Sequence, residues 1–265
     1  MTPPTERVVS VVDGRIQAHV KTAGAGPPLV FLHGAYGLAW DPFLDALAQT
    51  HTVYAPEHPG TTRGDPDAIH VLDDLWDLVL FYDDLFDQLG LEAPAVVGHS
   101  FGAMVAAEIA ATHRKRVSRL VLISPIGLWR DDTPVQNWMT LAPDVLVKAV
   151  CADPEGPIAK QAFALPEDPE AQVDAVVQLT WTLACTGKFV WPIPDKGLKK
   201  RLHRVRVPTL IVWGQQDGLV PPVYAGEFAR RINGARVETV DRAAHLPQLE
   251  QLGVVAPMVK SFLGQ

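Results

Sequence analysis

The 265-residue chain is poor in cysteine, having only Cys151 and Cys185. Two thiols cannot make a disulfide framework, and a metal site would need other ligands. None of the nine histidines stands in an H-E-x-x-H or comparable spacing, so no metal and no other cofactor is expected. Basic charge is also scarce. Lys and Arg number 23 against 30 Asp and Glu, a formal net charge of -7, which is not the footprint of a nucleic-acid-binding protein. Long apolar runs are missing too. No window approaches the roughly 18 residues of a membrane-spanning helix. The opening Met-Thr-Pro-Pro-Thr-Glu-Arg has no apolar stretch behind a basic start, so no secretory signal is read there. The expectation is a soluble cytoplasmic protein, a monomer or homodimer, that acts on a small molecule. What the chain has is 48% hydrophobic residues and enough length to bury a core without staples.

Those hydrophobic residues fall into short runs. Val8–Val12 and Ile16–Thr22 flank Asp13-Gly14, a hairpin signal. Pro28–Leu32, Thr52–Ala55, Ala95–Val97, Leu120–Ile123, Thr209–Trp213 and Val237–Val240 follow, and such runs suit buried parallel strands. Helical patterns lie between them. Leu72, Leu75, Trp76, Val79, Tyr82, Phe86 and Leu89 share one face, while Asp73, Asp77, Asp84 and Asp87 read as its solvated side. Phe101–Ala111 is apolar nearly all round, as in a helix packed under a sheet. Alternating strand and helix predict an α/β fold, a mostly parallel twisted sheet with helices on both faces.

The alternation stops after Ile123 and resumes at Val207. The intervening stretch is read as an inserted helical cap, 127–203, on a core made of 1–126 and 204–265. It carries four of the seven tryptophans, Trp129, Trp138, Trp181 and Trp191, together with Phe163 and Phe189. These aromatics either line an apolar pocket or form the cap's own small core. Both cysteines also lie here, apart from every catalytic candidate.

Three segments carry chemistry. Gly98-His99-Ser100-Phe101-Gly102 joins a strand to a helix, a G-x-S-x-G pattern in the context that gives it meaning. Bulky neighbours would clash on so tight a turn, and glycine at both flanks leaves the Ser100 hydroxyl exposed at the sheet's carboxyl edge. Next, Leu29–Leu32 runs into His33-Gly34-Ala35-Tyr36-Gly37, a loop able to aim the N–H of Ala35 at a developing oxyanion. The N–H of Phe101, at a helix start, is the expected second donor. Each such donor is worth about 3 kcal/mol of barrier. Finally, Asp217 follows one late strand and His245 the last. Ser100, Asp217, His245 is the chain order of an α/β-hydrolase triad, and all three sit at carboxyl ends of strands.

Together these segments resemble the α/β-hydrolase superfamily, over about Pro28 to Leu263. The Gln-Pro usual after the histidine in that superfamily appears here as Glu250-Gln251-Leu252. The resemblance implies a serine esterase. Ser100 would be the nucleophile, His245 the base and Asp217 the residue that orients it, with Ala35 and Phe101 as oxyanion donors. Asp217 is preferred to Asp241 and Asp195, and Ser124-Pro125 offers no carboxylate where some relatives carry one. Serine at the elbow disfavours epoxide opening and halide displacement, which need aspartate there. Tyr36, Trp40, Trp129, Trp138 and Trp181 are the candidate substrate-binding residues for a small to medium apolar ester. His33 is read as bracing its loop and His99 as a neighbour of the nucleophile rather than the base. Cleavage of a carbon–carbon bond in a ring-fission diketone, or of a lactone, uses the same three residues. A ligand receptor or scaffold is the alternative from a different class.

Overall fold

The computed structural model describes residues 3–264. Its elements follow the alternation of the sequence. The hairpin β1 (Thr5–Val11) and β2 (Ile16–Ala23) leads to β3 (Pro28–Leu32), α1 (Pro42–Ala48), β4 (Thr52–Pro56) and α2 (Leu75–Gln88). Then come β5 (Ala95–His99), α3 (Phe101–Thr112) and β6 (Leu120–Ile123). Three helices follow without a strand between them, α4 (Pro143–Val150), α5 (Pro157–Ala162) and α6 (Pro169–Val190). The chain finishes with β7 (Thr209–Gly214), α7 (Val223–Ala229), β8 (Arg236–Val240), α8 (Pro247–Glu250) and α9 (Leu252–Leu263). Among the described residues no helix is long and apolar enough to cross a membrane.

The eight strands form one sheet in the order β1-β2-β4-β3-β5-β6-β7-β8. Pairing is antiparallel from β1 to β4 and parallel from β4 through β3 to β8. Side chains alternate between two layers, as a pleated strand demands. Leu29, Phe31, Val97, Val121, Ile123, Leu210 and Val212 pack with α1 and α9. Val30, Leu32, Val96, Leu122, Ile211 and Trp213 pack with α2, α3 and α7. Each side chain taken fully out of water contributes about 1.5–3 kcal/mol. Both faces are covered, which is why the central strands read as unbroken apolar runs. The last strand departs from that expectation. β8 is an edge strand, and its Arg236 and Thr239 are exposed.

The helix predicted from Leu72 starts instead at Leu75, because the Asp74 carboxylate accepts the N–H groups of Trp76 and Asp77. Trp76, expected on the buried face, is 44% exposed. The Arg201 guanidinium lies 4.8 Å above its ring. The same guanidinium holds the fully buried Glu108 carboxylate through bonds of 2.7 and 2.6 Å.

α3 is buried from Phe101 to Ala111 and presses directly on the end of β3. A Cβ at Gly102 would stand 2.1 Å from the Leu32 carbonyl oxygen and 2.4 Å from that of His33. A Cβ at Gly98 would stand 2.6 Å from Cα of Ala103. Only glycine permits either approach.

Between β6 and β7, no residue from 160 to 181 is buried, and the first half of α6 touches the core through Gln178, whose amide donates to the Thr61 carbonyl at 3.1 Å. Its second half buries Thr182, Cys185, Thr186, Gly187, Phe189 and Val190. Buried side chains of this stretch, Trp138 and Phe189 among them, join the cluster of α2 and α3 rather than forming a core of their own.

Gly102→Ala should lower the unfolding free energy by at least about 3 kcal/mol, the upper end of overpacking costs. Gly226→Ala, inside α7 with nothing within 4 Å of the new methyl group, should be neutral or stabilising. Denaturant titration of the two variants checks the contrast.

Candidate active site

The turn from β5 into α3 puts Ser100 at φ 53 and ψ -112, a strained conformation for a side-chain-bearing residue. The Ser100 N–H donates to the Ile123 carbonyl at 2.9 Å, and its own carbonyl accepts from Met104 at 3.1 Å. Held this way, Ser100 Oγ lies 2.8 Å from Nε2 of His245. The other ring nitrogen, Nδ1, lies 2.9 Å from Oδ2 of Asp217. Oδ1 of Asp217 accepts the N–H groups of Leu219 and Val220 at 3.0 and 2.8 Å. All three side chains are buried. The competing carboxylates go elsewhere. Asp241 is exposed, and Asp195 pairs with Lys199 at 2.7 Å.

The Asp217 and His245 loops are bound to one another and to α4. A Cβ at Gly214 would meet the Ala244 carbonyl oxygen at 2.0 Å, so the end of β7 lies on the His245 loop. The last carbonyls of α4, which have no partner inside the helix, accept from these loops. Ala149 accepts the Gly218 N–H at 3.0 Å, and Val150 accepts the His245 N–H at 2.9 Å. Glu250 adds a clamp. Its two oxygens accept the N–H groups of Ala152 at 2.6 Å and Ala244 at 2.7 Å. Burial holds its carboxyl above the ordinary range. Cys151 is therefore not apart from the catalytic candidates, because it follows Val150 directly. Burial pushes its thiol up to about 12 and that of Cys185 up to about 11, which keeps both protonated and unreactive near neutral pH.

On the other side of Ser100 lies the loop after β3. A Cβ at Gly34 would fall 3.5 Å from the Ser100 Cβ. Ala35 follows it, and the Ala35 carbonyl accepts from the Thr186 hydroxyl of α6 at 3.5 Å. Phe101 is the first residue of α3, so its N–H has no partner within the helix. Histidines fix this loop. His33 Nδ1 donates to the Gly34 carbonyl at 2.7 Å, and its Nε2 accepts the His58 N–H at 3.0 Å. His58 Nε2 donates to the His33 carbonyl at 2.9 Å, while its Nδ1 accepts from the Tyr82 hydroxyl at 2.5 Å. His99 Nε2 donates to the His245 carbonyl at 2.8 Å and so braces that loop. Burial lowers all three imidazoles: His33 well below its ordinary value, His58 to about 4 and His99 to about 3. His58, Tyr82 and Thr186 carry no local sequence pattern that would have placed them at the site.

A cavity of about 440 Å³ opens over Ser100 and His245. Tyr36 and Trp138 line it, but Trp40, Trp129 and Trp181 do not. This corrects their assignment as substrate-binding residues. Their indole N–H groups are held elsewhere: Trp40 by Asp45 at 2.9 Å, Trp129 by Asp131 at 2.9 Å, and Trp181 by the Gly60 carbonyl at 3.0 Å. Aliphatic residues, among them Val150, Leu219, Leu249 and Leu252, form the walls in their place, with Phe163 beside Tyr36. Among the described residues no group of His, Cys, Asp and Glu is arranged to hold a metal ion.

The family model described as "Alpha/beta hydrolase family" matches residues 29–257. A dihydrolipoyllysine-residue acetyltransferase component of the acetoin cleaving system of Cupriavidus necator is 29% identical, over 96% of this chain and 68% of that protein. A pimeloyl-[acyl-carrier protein] methyl ester esterase of Vibrio atlanticus is 28% identical, over 91% of this chain and 95% of that one. The solved structure of an esterase from Exiguobacterium antarcticum superposes with a TM-score of 0.78 at 20% identity, covering 98% of this chain and all of that one. At that identity it shows a shared fold.

The three lowered imidazoles set a pH dependence. Unfolded, each takes up a proton near pH 6.5; folded, each resists protonation to well below that. The unfolded state therefore binds more protons as pH falls below 6.5, and stability is lost through that window by up to about 1.4 kcal/mol per pH unit for each group. Denaturant titrations from pH 8 to 4 should show this loss, and His58→Gln should flatten it.

Proposed function

The chain belongs to the alpha/beta hydrolase family, and from that premise we propose that it is a serine hydrolase cleaving carboxylic esters through an acyl-enzyme. The observation that carries this reading is the unbroken line from Ser100 Oγ through His245 to Asp217, at 2.8 and 2.9 Å, beneath the cavity. His245 Nε2 takes the proton of Ser100 as Oγ attacks the ester carbonyl. Asp217, held by two backbone N–H groups, keeps the imidazole in the right tautomer and stabilises its charged form. The N–H groups of Ala35 and Phe101 receive the oxyanion. Collapse expels the alcohol with the proton from His245, and water then attacks the acyl-enzyme with His245 again as base.

Residues 127–203 act as a cap over a core of 1–126 and 204–265, of which Met1, Thr2 and Gln265 lie outside the described residues. The cavity size is that of a small-molecule site, and its aliphatic walls suit small to medium esters. The name of the Vibrio relative, a methyl ester esterase, supports ester cleavage.

A fluorophosphonate should label the wild-type chain and not Ser100→Ala; equal labelling of both, or of neither, would falsify the nucleophile. His245→Ala should lower kcat by several orders of magnitude, and Asp217→Asn by about 10⁴. A panel of p-nitrophenyl esters of graded acyl length, with one ring-fission diketone and one lactone, measures these losses. Turnover of the diketone or lactone with negligible ester cleavage would overturn the ester reading.

A further inference from the structure

The cavity walls are aliphatic, but the cavity is not electrically neutral. Among the described residues that line it there is no Lys, Arg or Glu, and one Asp, Asp41. Of the lining imidazoles, burial keeps His33 and His99 uncharged, and His245 is paired with Asp217. Asp41 therefore brings the lining its one unpaired charge, and that charge is negative.

Asp41 stands where the cavity opens. Ala39, Pro42, Gln161 and Ala162 are lining residues that are also exposed, so the segment entering α1 and the end of α5 form the rim. Asp41 lies on the first of these segments, between Ala39 and Pro42, and is half-buried.

The protein uses only part of this carboxylate. Oδ1 accepts the Leu44 N–H at 2.9 Å as the N-cap of α1. Oδ2 has no hydrogen-bond partner among the described residues, and it is not sealed from solvent. Asp45, one turn on, is committed by contrast to the Trp40 indole. Burial pushes the Asp41 carboxyl up to about 6 against the pull of the Leu44 and Phe43 N–H groups, and Asp45 raises it further. No cation of the protein offsets it. At neutral pH the group is ionised, drawn partly out of water and unpaired, so a ligand that supplies a positive charge relieves it most. A primary ammonium supplies that charge and an N–H donor for Oδ2 as well. A carboxylate on the ligand would be repelled at the same place.

We propose that Asp41 is a specificity-determining residue and that the substrate is an ester with an aliphatic arm ending in a primary ammonium group, held against Asp41 at the mouth of the cavity while the ester carbonyl lies at Ser100. This rests on the serine-hydrolase reading and narrows it, since it replaces a plain apolar ester by a cationic one.

Two matched series test it. One has methyl esters of heptanoic acid, 6-aminohexanoic acid and 6-hydroxyhexanoic acid, with the monomethyl ester of adipic acid. The other has heptyl acetate, 6-aminohexyl acetate and 6-hydroxyhexyl acetate, so that either the acyl or the alcohol arm can reach Asp41. Preference is read as the ratio of ammonium-ended to methyl-ended ester, in kcat/KM on the wild type and in calorimetric affinity on Ser100→Ala. Each ratio is then measured again with Asp41→Asn added. Asparagine caps a helix as well as aspartate does, so the charge is removed and the cap kept. Asp41→Ser, another good cap, takes its place if melting temperature shows that the first variant does not fold.

In at least one series the substitution should lower the ratio by about fivefold or more, the upper end for an ion pair in contact with water. The carboxylate-ended ester, the weakest of its set in the wild type, should improve relative to the methyl-ended one. Raising the ionic strength to about 1 M should shrink the ratio in the wild type and leave it unchanged in the variant. A ratio that stays within about twofold of wild type in both series overturns the proposal. So does an equal loss for the hydroxyl-ended ester, which would make Asp41 a plain hydrogen-bond acceptor. Affinities on Ser100→Ala need no turnover. An absence of ester cleavage and of fluorophosphonate labelling in the wild type sinks the hydrolase reading, while the affinity ratios still decide the role of Asp41.

Discussion

The site depends on backbone lying against backbone at Gly102. There α3 approaches the Leu32 and His33 carbonyls so closely that no Cβ fits between them. This contact sets where α3 begins, and so where the Phe101 N–H points and where Ser100 must turn at positive φ. It also fixes the loop after β3 relative to Ser100, because His33 is part of the surface on which the helix rests. Gly214 repeats the device on the far side, bringing the end of β7 onto the Ala243 and Ala244 carbonyls beside His245. Side chains can change rotamer to absorb a shift, whereas these contacts have none to change. The distances of 2.8 and 2.9 Å along Ser100, His245 and Asp217 are set by main chain more than by packing.

The same reasoning separates what was legible in the sequence from what was not. Alternation of apolar strands with helices was enough for the α/β sheet, because burial on both faces leaves strands without polar positions. Ser100, Asp217 and His245 were legible because each occupies a loop directly after a strand, and the sheet brings those ends together. Glycine on either side of Ser100 marked the close approach of α3 to the strands. The edge character of β8 and the exposure of Trp76 were not legible. Both depend on which neighbour is absent or which cation stacks, and hydrophobic periodicity does not record either.

Aromatic residues near a motif proved a poor guide to the pocket. Trp40, Trp129 and Trp181 are amphipathic, and a buried indole must place its N–H as well as its rings. A partner many residues away decides that, as the Gly60 carbonyl does for Trp181. The α4 carbonyls that hold the His245 and Gly218 N–H groups were equally hidden, since main-chain acceptors have no residue identity to read.

Four imidazoles crowd this half of the molecule, and their separation into roles follows from what each nitrogen faces. The His99 and His245 rings are 5.1 Å apart, so a charge on one would oppose a charge on the other. Burial keeps His99 neutral, and its Nε2 is committed to the His245 carbonyl. His33 and His58 are neutral for the same reason, and every ring nitrogen of the pair meets a group that fixes its tautomer. Only His245 has a carboxylate on one ring nitrogen and a hydroxyl on the other. That position between Asp217 and Ser100 is what would single out His245 as the base of the proposed reaction, among neighbouring imidazoles that burial keeps neutral.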